Sequence, residues 1–272
     1  AGPGRAILAL ALGALGLGCG AQELYEPPTA PYSIVGRLPL PSKAADVSVL
    51  GDVAYVAAGQ AGLAVVDISD PSAPSLVKLV DTVKYAESVR VASTLGTGGV
   101  TDIAFVVEGT EGITTYDITE PDSAVSFQQG TTAVDGNGLA IELPADPTDP
   151  YVVYLAENWK GLRIFESDPA MPGLLRYNGV FASTRGFAKA VDVEGGFAYV
   201  ADDEMGLGVL DVRTRVLGAV RLVSACDTDG NAMGVACAGR FVYIADGDEG
   251  LVVMETRDEG SPPVPVPYLA GR

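Results

Sequence analysis

Histidine is absent from this chain of 272 residues. Its absence excludes Ser-His-Asp and Cys-His catalysis, metal binding by imidazole, and acid-base chemistry by histidine. The three cysteines lack the paired spacing of zinc sites, and no glycine-rich phosphate loop follows a strand and opens a helix. Chemistry by carboxylates remains, either a pair of acids for glycoside hydrolysis or oxygen ligands for calcium.

Basic residues are scarce as well. The chain has 17 lysines and arginines against 35 aspartates and glutamates, which gives a formal net charge of −18. Such a surface repels nucleic acid and anionic lipid headgroups. We therefore expect no nucleic-acid partner, and contact with a membrane only through a covalent lipid.

Long apolar runs are limited to one, near the start of the sequence. Arg5 precedes the uncharged residues 6–17, which are too few to span a bilayer but have the length of the hydrophobic region of a secretory signal. The segment ends at Cys19 and resembles a bacterial lipoprotein signal, although Gly16 stands where that signal prefers leucine. The resemblance implies that Cys19 is the lipid anchor. Cleavage after Ala21 without lipidation is the alternative.

These features predict three segments. Residues 1–18 form a signal peptide, residues 19–31 an extended tether, and residues 32–272 a single domain. The protein is then exported, as a lipoprotein of the outer membrane or cell surface, or as a periplasmic protein.

The domain is built from one stretch that occurs five times. Each copy has a central glycine, and these are Gly62, Gly112, Gly161, Gly206 and Gly250. An aromatic residue stands seven positions before each glycine, and a carboxylate stands five positions after it. The spacings of 50, 49, 45 and 44 residues are typical of propellers and solenoid arrays.

Each copy contains four short apolar runs. In the first copy, Val53–Ala57 and Leu63–Asp67 flank a polar loop that ends in Gly62, which is the composition of a β-hairpin. A shorter run precedes this hairpin, and a more variable run, Ser75–Val80, follows it. Four strands in each of five copies predict an all-β fold, a five-bladed β-propeller of four-stranded antiparallel blades.

Leu63–Asp67 reads Leu-Ala-Val-Val-Asp and is followed by Ile-Ser-Asp-Pro. This pattern resembles the LVIVD repeat of bacterial secreted and surface propeller proteins. The copies around Gly62, Gly206 and Gly250 match it better than the other two. The resemblance implies the propeller fold. It implies no particular activity, because the residues of the motif are structural.

The two ends of the domain predict how the ring closes. Residues 33–38 resemble an outer strand that has no hairpin of its own, whereas residues 261–267 carry proline at alternate positions, which suits an edge or a loose tail. We expect residues 33–38 to add to the fifth blade as its outer strand. This N-terminal strand would close the propeller.

The hairpin loops and the segments that lead into the next blade are expected to share one end of the propeller, where acidic and polar residues gather. The candidate ligand-binding residues on this end are Glu87, Asn137, Trp159, Asp202, Asp203, Asp246 and Asp248. Trp159, the single tryptophan, is either a recognition aromatic or a cap on the neighbouring blade.

Asp227, Asp229 and Asn231 alternate along one of these segments and resemble the first half of a calcium-binding loop. The pattern departs from such a loop at Ala232 and Ala238, the sixth and twelfth positions. A calcium site and a solvated turn rich in Asp, Asn and Gly both remain open. The predicted cofactor is accordingly none, or Ca²⁺.

Cys226 and Cys237 are an even pair if Cys19 carries lipid, and an exported protein can keep a disulfide. Cys237, however, occupies a position that valine or isoleucine fills in the other copies, as a core residue would. A disulfide and two free thiols both remain open.

Together these observations favour a non-catalytic, lipid-anchored propeller at the cell surface or in the periplasm. Its acidic end would make it a scaffold for a protein or a glycan. The alternative is a carboxylate-dependent hydrolase of glycans or esters, with or without calcium. A monomer is expected.

Overall fold

The computed structural model describes residues 33–96, 99–128, 135–146, 149–216, 218–259 and 264–269. The chain divides into two compact units, residues 1–34 and 35–272. In the first unit only Ser33 and Ile34 are described, and both are exposed. The predicted signal peptide, the tether and Cys19 lie outside the described residues.

Five four-stranded antiparallel sheets, the blades, make up the second unit, as predicted, and the strands of each blade are adjacent in chain order. Blade 1 has β1 (Asp46–Leu50), β2 (Val53–Ala57), β3 (Leu63–Asp67) and β4 (Ser75–Val80). Blade 2 has β5 (Ser88–Gly96), β6 (Gly99–Val107), β7 (Ile113–Asp117) and β8 (Val125–Gln128). Blade 3 has β9 (Gly138–Glu142), β10 (Val152–Glu157), β11 (Gly161–Asp168) and β12 (Met171–Ala182). Blade 4 has β13 (Ala190–Glu194), β14 (Phe197–Ala201), β15 (Leu207–Asp211) and β16 (Arg221–Cys226). Blade 5 has β17 (Gly234–Ala238), β18 (Phe241–Ala245), β19 (Leu251–Glu259) and β20 (Val264–Leu269).

Helical structure is limited, in the described part of the chain, to three short turns of 3-10 helix. They cover Gly109–Glu111, Pro121–Ser123 and Gly247–Glu249. Two of them lie in hairpins between the second and third strands of a blade, so they shape loops and add nothing to the core.

The hydrophobic core lies between the blades. Because side chains alternate along a strand, each blade has a leading face toward the preceding blade and a trailing face toward the next. Between blades 2 and 3, Phe105 and Ile113 of one trailing face pack against Val153 and Phe165 of the next leading face. All four side chains are fully buried, and burying one such side chain stabilises the fold by roughly 1.5–3 kcal/mol.

The innermost strands line a central channel. β1 packs against β5, β5 against β9, β9 against β13, and β13 against β17. A cavity of about 350 Å³ lies between β5, β9, β13 and β17, and Arg90, Ile141 and Asp192 are among its lining residues. Within the described strands, no comparable packing joins β17 back to β1. The five blades therefore form an arc whose first and last inner strands are not packed together.

The predicted closure by an N-terminal strand is wrong. Residues 33–45 contain no strand, and the outer strand of blade 5 is β20, which pairs antiparallel with β19. Pro265 and Pro267 lie within this pairing, opposite Asp258 and Thr256. Residues two apart direct their backbone toward the same edge, so both prolines can face the open edge while their neighbours donate to β19. Alternate prolines are thus compatible with an edge strand.

The segment before β1 packs on the leading face of blade 1 instead. Leu38 and Leu40 contact a cluster that contains Ala54, Ala64 and Val66. Ala64 is fully buried and Val66 is only 5% exposed. The chain itself therefore covers this leading face.

Candidate binding site

The hairpin loops and the lead-in segments do meet at one end of the blades, which we call the hairpin end. Backbone hydrogen bonds join the hairpins of blades 1 to 4 to the small residue that precedes the next inner strand. These contacts are Gly59 with Ala86, Gly109 with Gly136, Asn158 with Ala188, and Asp203 with Ala232. These four small residues, each of which lies just before the inner strand of the next blade, are therefore bridge points between neighbouring blades.

A buried carboxylate recurs four residues before the repeat glycine in four of the blades. These residues are Glu108, Glu157, Asp202 and Asp246, and each is at most 2% exposed. Blade 1 has Ala58 at this position, also fully buried. The position is thus part of the interior of each hairpin and does not face solvent.

Asp202 and Asp246 use these carboxylates to hold the lead-in segment of their own blade. Asp202 accepts hydrogen bonds from the Thr184 hydroxyl at 2.6 Å and from the backbone N–H groups of Arg185 and Gly186 at 2.7 Å. Asp246 accepts from the Thr228 hydroxyl at 2.6 Å and from the Gly230 N–H at 3.0 Å. The structure therefore places these two predicted ligand residues in internal contacts.

Glu108 acts in the same way in blade 2. It accepts hydrogen bonds from the backbone N–H of Val83 and from the hydroxyl of Tyr116, both at 2.7 Å. Burial raises the pKa of Tyr116 well above its usual value, and the bond to the Glu108 carboxylate raises this pKa further. Tyr116 stays a neutral donor, which suits a structural contact.

Asp203, next to the buried Asp202, belongs to a second, partly exposed layer around the channel mouth. Its carboxylate accepts a hydrogen bond from the Asn231 amide at 2.8 Å and lies 3.4 Å from the Lys189 ammonium. Asn137, another predicted residue of this layer, donates its amide to the Ala188 carbonyl at 2.8 Å. The mouth is therefore a mixed polar surface with a cation in it.

Glu87 lies in the same layer and is half-buried. Burial raises its pKa, the neighbouring Asp135 raises it further, and Lys189 acts in the opposite direction. A carboxyl group that holds its proton more strongly than usual is the kind of group that can serve as a general acid. Among the predicted residues, Glu87 has this property together with a position at a channel mouth.

Of the predicted calcium residues, Asp227 and Asp229 line one cavity of about 110 Å³ together with Asp246, whereas Asn231 is not among its lining residues. Thr228 and Gly230, which alternate with Asp227 and Asp229, are bound to the buried Asp246. The Asn231 amide is bound to Asp203. Within the described residues, no group of three or more His, Cys, Asp or Glu side chains is placed to hold a metal ion. Asp248, on the exposed turn Gly247–Glu249, is separate from these contacts and faces solvent.

Cys226 and Cys237 are both free thiols, which is the second of the two alternatives that the sequence leaves open. Cys226 ends β16, the outermost strand of blade 4, while Cys237 lies in β17, the innermost strand of blade 5. The pair is thus on opposite edges of consecutive sheets. Burial raises the pKa of the Cys237 thiol well above its usual range, and Asp192 and Glu194 add to this effect. Cys237 is a core residue.

Trp159 does not cap a neighbouring blade, since 65% of its side chain is exposed. It borders a cavity of about 460 Å³ that also includes Tyr177 and Phe181 of β12. Phe181 is 53% exposed. Three aromatic side chains from one hairpin and one outer strand therefore share a solvent-accessible cavity, which we call the aromatic cavity.

Charged groups line the inner wall of the aromatic cavity. The Arg163 guanidinium lies 4.5 Å from the centre of the Tyr177 ring and donates to the buried Glu157 carboxylate at 2.5 Å. The Lys160 ammonium donates to the same carboxylate at 2.8 Å and lies 5.4 Å from the centre of the Trp159 ring. Glu157 thus holds two cations against two aromatic rings.

Trp159 is identifiable from the sequence as a candidate binding residue, whereas Tyr177 and Phe181 are not. Outer strands vary most between the copies, so nothing in the sequence indicated the register of β12 against β11. That pairing is interrupted by shifts between Arg163 and Phe165 and again between Ser167 and Asp168, and such irregularities decide which side chains reach the hairpin.

Comparison with known proteins agrees with the repeat pattern. The family model of the LVIVD repeat matches residues 41–82, 185–214 and 229–256. These ranges contain the copies around Gly62, Gly206 and Gly250, which are the three copies that resemble the LVIVD motif better in sequence. The predicted resemblance is confirmed. No curated protein matches the chain significantly by sequence.

Solved structures resemble the fold at low sequence identity. The computationally designed Ika8 protein has a TM-score of 0.50 at 11% identity, over 79% of this chain and 58% of its own. A protein described as a 6-phosphogluconolactonase from Bacteroides fragilis has a TM-score of 0.55 at 13% identity, over 82% of this chain and 68% of its own. BamB from Moraxella catarrhalis has a TM-score of 0.46 at 15% identity, over 79% and 59%.

These similarities concern the fold alone. The chain spans about three fifths of the length of Ika8 and of BamB. Within the described residues, no helix is long and apolar enough to cross a lipid bilayer.

Proposed function

We propose that this LVIVD-repeat protein is a non-catalytic, exported scaffold that binds glycan chains at the aromatic cavity of blade 3. The observation that carries the proposal is the exposure of Trp159 and Phe181 beside a cavity of about 460 Å³. Exposed large aromatics around a concave, partly polar site are typical of ligand-binding surfaces.

The chemistry of the cavity suits sugars. A pyranose presents C–H groups on its faces, which pack on the electron-rich faces of aromatic rings, and hydroxyl groups at its edges, which need hydrogen-bond partners. Trp159 and Phe181 supply the rings, while Lys160 and Ser183 supply polar groups at the wall. The Glu157 carboxylate pairs with both Arg163 and Lys160, which leaves one net positive charge at the wall. Because each cation already has a carboxylate partner, the cavity can accept an uncharged glycan.

Catalysis by the recurring carboxylates is disfavoured by their contacts. Asp202 and Asp246 already accept hydrogen bonds from the segments that they hold, and Glu157 pairs with two cations. A glycosidase needs two carboxyl groups free to face the scissile bond. These side chains serve the loops instead.

The protein itself provides the reporter for a binding test. Trp159 is the only tryptophan, so a sugar that stacks on it should shift the fluorescence emission of the protein. The full chain carrying Cys19→Ser, which cannot be lipidated, would be titrated with neutral oligosaccharides of glucan, galactan and xylan type. We expect a saturable shift with at least one of them.

Phe181→Ala should weaken this binding about tenfold or more, and Phe187→Ala should leave it unchanged. Phe187 is the matched control because it is 50% exposed, close to the value for Phe181, but lies outside the cavity. If no oligosaccharide changes the emission, or if Phe181→Ala binds as tightly as the parent protein, the proposed site is wrong. If peptides shift the fluorescence emission of Trp159 and oligosaccharides do not, the ligand is a protein.

Anchoring through Cys19 is a separate part of the proposal. The apolar residues 6–17 followed by Cys19 support it. Cys19→Ser should move the protein from the membrane fraction to the soluble fraction of the producing cell. Unchanged membrane association of the variant, with normal processing, would contradict a lipid anchor.

A carboxylate-dependent hydrolase is the second candidate, and Glu87 favours it. Its raised pKa and its neighbour Asp135 give a proton donor beside a second carboxylate at the channel mouth. The test is release of reducing sugar from the same oligosaccharides. Activity that Glu87→Gln abolishes would support hydrolysis, and absence of turnover in the parent protein would exclude this candidate for those substrates.

A further inference from the structure

In the part of the chain that the structure describes, no sheet covers the trailing face of blade 5. Tyr243, Ala245, Leu251 and Val253 lie together on this face, because Tyr243 pairs with Val253 and Ala245 with Leu251 in adjacent strands. Leu251 is 67% exposed and Tyr243 is 37% exposed. We call these four side chains the open face.

The same four residue types occur at the same register on two other blades. Blade 1 carries Tyr55, Ala57, Leu63 and Val65, and blade 4 carries Tyr199, Ala201, Leu207 and Val209. In both blades these side chains are at most 5% exposed, because the next blade packs over them. The open face therefore has the composition and pairing of a surface that this fold buries under another sheet.

Blade 1 of the same chain is not free to cover it. Its leading face is the natural complement, but Leu38 and Leu40 pack on that face, and Ala58 and Ala64 are fully buried there. β17 and β1 are also not packed together as the other inner strands are. Among the described residues, blade 1 therefore does not supply a sheet that covers the open face.

We propose that a second copy of this chain covers the open face, with the two open faces packed against each other about a two-fold axis. Such an interface is self-complementary, so each exposed Leu251 side chain would be buried by the partner copy. The apolar centre with charged ends matches the usual anatomy of an interface.

The charges at the two ends of the open face favour this geometry. At the hairpin end lie the exposed Asp248 and Glu249. At the opposite end lie Arg240 and Arg257, whose side chains are 68% and 62% exposed, and both pair with Glu255. When two copies meet with their strands antiparallel, the acidic end of one faces the arginines of the other. A parallel arrangement would bring like charges together.

Sedimentation equilibrium of the full chain over a wide concentration range tests the proposal, with Cys19→Ser in every sample so that lipid cannot drive association. We expect a monomer-dimer equilibrium. Leu251→Asp should weaken the dimer at least tenfold. Val100→Asp is the matched control, because Val100 is 66% exposed but lies on β6 of blade 2, and it should leave association unchanged.

A charge exchange tests the orientation of the two copies. Arg240→Glu and Glu249→Arg should each weaken the dimer, and the double variant should restore part of the lost affinity, because positions 240 and 249 of the two copies then carry opposite charges again. Restoration is not expected if the strands run parallel.

Several results would overturn the proposal. A protein that stays monomeric at every concentration would do so. If Leu251→Asp also destabilised that monomer, the open face would be covered by a segment of the same chain. Association that Leu251→Asp does not weaken would place the interface elsewhere. Oligomers larger than a dimer would rule out a closed dimer with two-fold symmetry.

Discussion

The Asp202 carboxylate accepts a hydrogen bond from the backbone N–H of Gly186 over 2.7 Å. Asp202 directly follows the second strand of blade 4, and Gly186 belongs to the segment that enters this blade from blade 3. One buried side chain therefore fixes both the hairpin and the connection between two blades. The equivalent residues Glu108 and Asp246 do the same in blades 2 and 5.

Asp202→Ala should lower the free energy of unfolding by about 3 kcal/mol, because it leaves buried N–H and O–H donors without an acceptor. Asp203→Ala, one residue further on, removes a partly exposed carboxylate and should cost less than about 1 kcal/mol. Urea unfolding of both variants measures the difference. Equal losses would contradict a special role for the buried position.

Gly206→Ala should be much more destabilising than Gly250→Ala. Both glycines have positive φ, +72° and +79°, so the backbone strain of about 1–3 kcal/mol is common to both. At Gly206 a Cβ would also lie 2.5 Å from the Cys226 carbonyl oxygen, whereas at Gly250 it would meet no heavy atom within 4 Å. The denaturant midpoints of the two variants test this prediction. Similar midpoints would mean that backbone strain alone accounts for the loss of stability at both positions.

Glu87→Gln should flatten the pH dependence of stability in the mildly acidic range. The pKa of Glu87 is raised on folding, so between the ordinary carboxyl pKa and the raised one the folded state binds more protons than the unfolded state. The free energy of unfolding then falls as pH rises through this window, and the loss persists at neutral pH. The variant should be more stable than the parent above the window.

Thermal unfolding between pH 4 and 8 measures this effect. Glu204→Gln, which removes an exposed charge of the same type, is the control for the change in net charge. If the difference in melting temperature between the parent protein and Glu87→Gln does not change with pH, the prediction is wrong.

Removing residues 264–272 should lower the melting temperature, since β20 is the outer strand of blade 5 and Val264 packs on the core between blades 4 and 5. A loss of about 3 kcal/mol corresponds to roughly 6–12 °C for a domain of this size. Removing residues 270–272 alone keeps β20 and serves as the control. If the two truncated proteins have the same melting temperature, β20 contributes no stability.

Much of the fold could be predicted because the repeat is a local signal. A glycine at positive φ, an aromatic residue seven positions earlier and alternating apolar residues specify a hairpin within about a dozen residues. The outer strands could not be assigned in the same way. β20 and the segment of residues 33–38 both look like edge strands, and only packing against β19 decides between them.

The candidate site was predictable in part. Trp159 could be singled out because it is the only tryptophan and lies in a polar hairpin loop. Asp202 and Asp203 could not be separated, because adjacent acids look alike in a sequence while their side chains point in different directions. One carboxylate holds a loop in the interior and the other faces the channel mouth.

The sequence by itself determined the five copies, their hairpins and the residues that line each blade face, because these depend on spacing within a short stretch. Tertiary structure decided which of these equivalent residues are buried. Tyr199 and Tyr243 occupy the same position in successive copies, yet Tyr199 is 5% exposed and Tyr243 is 37% exposed. Burial depends on whether another sheet lies across the face, and that is a property of the neighbours in space.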